Sequence, residues 1–243
     1  MPLQQWVRLP TAWIQSHGLR AFRWAGAERS DNTAALMLLL PIAHHADNQT
    51  GIAHMTYNKL GEATGPSRAK VSGGLSVLET HGLIARDIER RSTYQLCNYD
   101  PERGWGKIPA RGLYASDDDI VAFRHFHLRR PAELDALKLY YLFAAFRDNA
   151  TNQTYISYDK ITEYTGIERG NIKRGQSLLV THDLIQVEYA PSSASDHGMK
   201  NSYRLMGLEP NKHMGTTGRT LISSVNFADE LGLLDVDLMK ASE

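Results

Sequence analysis

Apolar and polar positions along this chain follow one succession of patterns, and the succession occurs twice. A short strand-like run, Trp6–Pro10, precedes an apolar segment at Asn32–Ala46 that reads as a helix. Asp47 and Asn48 are turn residues that end it, and Ile52–Met55 reads as a brief strand. Thr56 suits the N-cap of a second helix that turns Leu60 inward, and Gly65 supplies the permissive backbone of a tight turn. A third helix is predicted over Ser67–His81, where Val71, Leu75 and Leu78 fall at i, i+4 and i+7. Gly82 suits its left-handed C-cap. Two strand-like segments follow, Leu83–Glu89 and Thr93–Tyr99, around a charged tip at Arg90, Arg91 and Ser92.

Sliding the sequence by about 101 positions lays Ala35–Ile84 over Ala136–Ile185 without a gap, and about 20 of the 50 positions are identical. Ala21-Phe22-Arg23 meets Ala122-Phe123-Arg124 at the same offset. With small gaps, Trp6–Pro10 matches Trp105–Pro109, and Tyr94-Gln95-Leu96 matches Tyr203-Arg204-Leu205. The second copy therefore predicts helices near Glu133–Arg147 and Glu168–His182, a strand at Thr154–Ile156 and an N-cap at Ser157. Its closing hairpin is Leu184–Tyr189 with Ser202–Met206, around a longer loop from Pro191 to Asn201. Asp183 replaces the capping glycine, and Gln176 stands where Leu75 does, which predicts a rotated or looser helix. Asp, Pro and Gly cluster near Asp100–Gly104, so the expected units are 1–100 and 101–208. Residues 209–243 form an extension, acidic towards its end, where Phe227, Leu231, Leu234 and Leu238 have near-helical spacing. The fold class expected is α+β, mainly helical.

Composition changes this picture little. The charged and apolar fractions suit a globular chain, and the formal net charge is zero. Asp229, Glu230, Asp235, Asp237 and Glu243 lie together near the end, so the body of the chain is slightly basic. No signal-peptide pattern starts the sequence, no apolar run is long enough for a membrane span, and Cys97 is the one cysteine. A cytoplasmic protein is expected.

The order helix, strand, helix, turn, helix, hairpin carries a resemblance. Tyr57-x-Lys59-Leu60-x-x-x-Thr64-Gly65-x-Ser67-Arg68-x-x-Val71, with Leu75-x-x-Leu78-x-x-x-Gly82-Leu83-Ile84, resembles the winged helix-turn-helix superfamily of bacterial DNA-binding proteins. Tyr158-x-Lys160-Ile161-x-x-x-Thr165-Gly166 keeps the pattern in the second copy. Two such units in one chain also resemble, in architecture, plasmid and phage replication initiators and their associated regulators. The resemblance implies duplex DNA as partner and the third helix of each unit as the reader. On the outward face of the first lie Ser67, Arg68, Lys70 and Ser72, and on the second Arg169, Asn171, Lys173 and Arg174. Arginine suits guanine and asparagine suits adenine, whereas lysine holds phosphate. Arg90 and Arg91 at the first hairpin tip, and Lys200 at the second, are the expected backbone contacts. Because these faces differ between copies, the expected target is an asymmetric composite site.

Other chemistries fit less well. His44-His45 and His125-x-His127 lack the further ligands of a zinc site, so no metal or other cofactor is expected. His81 and His182 suit the negative end of a helix as cations. Cys97 lies in a strand-like segment and reads as structural, and no phosphate-binding glycine loop occurs, so no enzyme is expected. Asp117-Asp118-Asp119 reads as the start of a helix, and the tryptophans and Tyr140-Tyr141 read as core. The alternative function is a winged-helix adaptor for other proteins without DNA contact.

Overall fold

Local chemistry sets the element boundaries. The computed structural model describes residues 3–87, 89–115, 119–191 and 199–208, with backbone alone at 189–191, 199 and 200. The first unit runs β1 (Trp6–Pro10), α1 (Ala12–Gln15), α2 (Arg29–His44), β2 (Ile52–His54), α3 (Tyr57–Thr64), α4 (Arg68–Thr80), β3 (Ile84–Arg86) and β4 (Thr93–Leu96). The second runs β5 (Trp105–Pro109), α5 (Pro131–Ala145), β6 (Thr154–Tyr155), α6 (Tyr158–Thr165), α7 (Arg169–Thr181), β7 (Ile185–Pro191) and β8 (Met199–Leu205). The fold is α+β. The sheet order β2-β4-β3 of the first unit recurs as β6-β8-β7 in the second.

Matching caps show why the elements begin and end alike. The hydroxyls of Thr56 and Ser157 accept the N–H groups of Lys59 and Lys160. Gly65 and Gly166 end those helices at φ 89° and 70°, where a side chain would be strained. Gly82 and Asp183 both take left-handed backbone after the third helix, at φ 63° and 53°. The aspartate tolerates it because its short polar side chain suits that region.

Some sequence expectations change. Gln176 is a satisfied core residue: it is buried, donates to the Tyr203 hydroxyl at 2.8 Å and accepts from Tyr158 at 3.1 Å. All four tryptophans are half-buried rather than core, with Trp6 and Trp105 stacked on one another at 6.0 Å, whereas Tyr140 and Tyr141 are buried. Cys97 sits in a turn after β4, and burial raises its thiol pKa. Asp117 and Asp118 lie outside the described residues, and Asp119 is not helical but pairs with Arg124. The extension 209–243 also lies outside them.

The relation between the units comes from β1 and β5. They pair antiparallel, Arg8 opposite Lys107, Trp6 opposite Pro109 and Pro10 opposite Trp105. Each residue thus faces the counterpart of its mirror position, which defines a local two-fold axis through the Arg8–Lys107 pair. Helices α2 and α5, buried almost all round, pack together across this axis in one continuous core. The Tyr141 hydroxyl donates to the Leu36 carbonyl at 2.7 Å between them. Each unit also holds the other's leading segment: the Ile120 N–H donates to the Ala63 carbonyl at 3.0 Å, and Arg20 to the Glu163 carbonyl at 3.0 Å.

His44 belongs to the same junction. Its Nδ1 shares a 2.8 Å hydrogen bond with the Tyr114 hydroxyl, and burial pushes its pKa down to about 3. The folded protein therefore keeps this ring neutral, while the unfolded chain protonates it near its ordinary value of about 6.5. The stabilisation is complete above that value and is lost as pH falls through the window towards 3. Denaturant midpoints should fall between pH 7 and pH 4, and less steeply in His44→Gln; equal pH slopes would contradict this assignment.

Candidate nucleic-acid interface

Third helices α4 and α7 begin with the same arrangement. Arg68 extends from the first turn of α4, its guanidinium 5.6 Å from the Tyr57 ring centroid and 3.3 Å from Asn58 Oδ1. Arg169 lies 5.7 Å from the Tyr158 ring centroid and pairs with Asp159. Both arginines are exposed, and each rests on an aromatic platform supplied by its own α3 or α6. Such a platform narrows the positions a long side chain visits without hiding its donors. The first unit holds its arginine with a neutral amide, the second with a carboxylate.

The remaining cations are arranged differently in the two units. Lys70 is half-buried and bonds Asp31 at 2.8 Å and Ser30 at 2.6 Å, so its charge is compensated within the first unit. It braces α4 against the start of α2. A side chain at Gly73 would strike the Asp31 carboxylate at 2.7 Å. The second unit has Ala132 where Asp31 stands and Arg174 where Gly73 stands. Lys173 and Arg174 are exposed there, and Asn171 is half-exposed. Burial beside Lys138 and Arg174 leaves the Asp135 pKa raised to about 6. Ser67 and Ser72 are exposed, as are Arg90 and Arg91 after β3. The side chain of Lys200 lies outside the described residues. Among the described residues, Lys173 and Arg174 are thus exposed on the helix of the second unit, and Arg90 and Arg91 on the hairpin of the first.

His81 and His182 stand at the C-caps of α4 and α7, but their surroundings disfavour the charged form. Burial lowers both pKa values, with His81 4.7 Å from the Phe22 ring and His182 stacked on His125 at 4.7 Å. Both rings pack against aromatic neighbours.

Sequence reasoning passed over Tyr57, Asn58, Tyr158 and Asp159 as parts of this surface. The signal was present: Tyr and Arg are identical in both copies eleven residues apart, at Tyr57 and Arg68 and at Tyr158 and Arg169. Arg86 was also passed over; Glu79 holds it through two hydrogen bonds, and it bonds the Tyr57 hydroxyl. Among the described residues no group of three or more His, Cys, Asp or Glu is arranged to hold a metal ion, and no helix is long and apolar enough to cross a membrane. No family model and no curated protein matches this sequence.

Proposed function

We propose that this chain binds duplex DNA sequence-specifically through two non-identical winged-helix units, as a regulator or a replication or maintenance factor of the plasmid or phage type. The observation that carries this reading is the recurrence of an exposed, platform-mounted arginine at the start of the third helix in each unit. In a helix-turn-helix, that first turn is the part that faces base edges in the major groove. Arg68 and Arg169 read bases in this account, while Arg90, Arg91, Lys173 and Arg174 meet phosphates. In this account the local two-fold relation of β1 and β5 extends to α4 and α7, so that they meet one duplex in opposite senses. The target is then two inverted half-sites of unlike sequence. No step of this function needs a catalytic residue.

Affinity measured by fluorescence anisotropy over a series of salt concentrations tests the reading against the protein-adaptor alternative. Six exposed cations at the surface predict a slope of log affinity on log salt of about −3 to −5. An affinity independent of salt, or no binding, contradicts it.

A further inference from the structure

The first unit contains a cleft beside its reading helix. It has a volume of about 400 Å³ and lies between the start of α3, the first turn of α4 and the β3–β4 hairpin. Tyr57, Arg68, Arg86, Arg91 and Tyr94 line it, together with Asp87. Asp87 accepts the N–H groups of Glu89 and Arg90, which turns its carboxylate towards its own loop. Arg68 bonds only a neutral amide, and Arg91 has no acidic partner among the described residues.

Tyr94 is the second observation. Its ring is buried, with 2% of the residue exposed, and the residue lines this cleft. The strand registers show how the two units differ around this tyrosine. Tyr94 pairs with Arg86 across its hairpin, and Tyr203 pairs with Val187. The Tyr203 hydroxyl accepts from Gln176, but Leu75 occupies that helical position in the first unit and has no donor. The second unit has an amide, Gln176, and a valine, Val187, at the corresponding positions. The first has kept a hydroxyl and three arginines around an open space.

We propose that this cleft binds a phosphoryl group, with the Tyr94 hydroxyl and the Arg91 guanidinium donating to its oxygens and Arg68 at its edge left to the base it reads. Charge-assisted donors of this kind suit phosphate geometry. The group comes either from the backbone of a bound duplex, which deepens the DNA reading above, or from a free phosphate ester. The chemistry at the cleft is the same for both.

The test uses the full chain, its Tyr94→Phe variant and its Arg91→Ala variant, with two probes. Inorganic phosphate should shift the ring NMR signals of Tyr94, and Tyr94→Phe should weaken phosphate binding about tenfold while the thermal midpoint holds. With a duplex as probe, Tyr94→Phe should weaken binding about tenfold, and Arg91→Ala should lower the salt slope by about one. A phosphate response with both duplex effects missing assigns the group to a free ester and supports the site. The same response in a protein that binds no duplex leaves the cleft standing while the DNA reading fails. No response of Tyr94 to phosphate, with unchanged duplex affinity in both variants, overturns the proposal.

Discussion

Replacing Gly74 by alanine is expected to destabilise the protein by about 2–3 kcal/mol, although alanine is the better helix former by about 1 kcal/mol. The reason is the closeness of α4 to α2. A Cβ at Gly74 would lie 2.9 Å from the Ala35 nitrogen, 3.0 Å from the Ala34 carbonyl carbon and 2.8 Å from a Leu38 methyl. Two of those atoms are backbone, so the helices must separate, and packed interiors resist such shifts. At Gly175 the closest atom is a Leu139 methyl at 2.8 Å, with backbone beyond 3.2 Å, so Gly175→Ala should cost less. Gly170 has nothing within 4 Å, and Gly170→Ala should stabilise by about 0.5–1 kcal/mol. Chemical denaturation of the three variants checks the order, and a Gly74→Ala protein as stable as the parent would contradict the packing.

The double variant Arg68→Ala, Arg169→Ala is expected to lose about 2–6 kcal/mol of binding free energy on its selected duplex. Each arginine that reads a base should contribute about 1–3 kcal/mol, and the two stand on separate units, so their losses should add. Leaving their present partners opposes this little. Arg68 bonds a neutral amide, and the Arg169–Asp159 pair is exposed, where such pairs contribute about 0–1 kcal/mol. Each single variant should relax preference in its own half-site and leave the other unchanged. Circular dichroism would confirm that both variants fold, since neither side chain is buried. Affinity within twofold of the parent would remove these arginines from the reading surface.

What could be read from the residues alone was mostly local. Thr56 and Ser157 cap, and Gly65 and Gly166 turn, through contacts a few residues long, so their positions in the chain suffice. Order and repeat were legible for the same reason. Features that depend on long-range register were not. Nothing in Trp6–Pro10 says that its partner is its own counterpart, because an antiparallel pairing leaves no periodic trace in either strand. Lys70 looked like a free cation until the fold brought Asp31, far away in sequence, to its ammonium. Gln176 looked misplaced because the hydroxyls that satisfy it come from α6 and β8. The arginines of the candidate site stand out in the sequence, but nothing local shows that Arg68 and Arg169 rest on Tyr57 and Tyr158, eleven residues before them.

Opposed reading helices on a single duplex are the centre of this account. Selection of bound sequences from a random duplex pool by the full chain measures that arrangement directly. Two unlike half-sites in inverted orientation, about one helical turn apart, are the predicted outcome. Enrichment of a direct repeat, of a perfect palindrome, or of no sequence at all would contradict it.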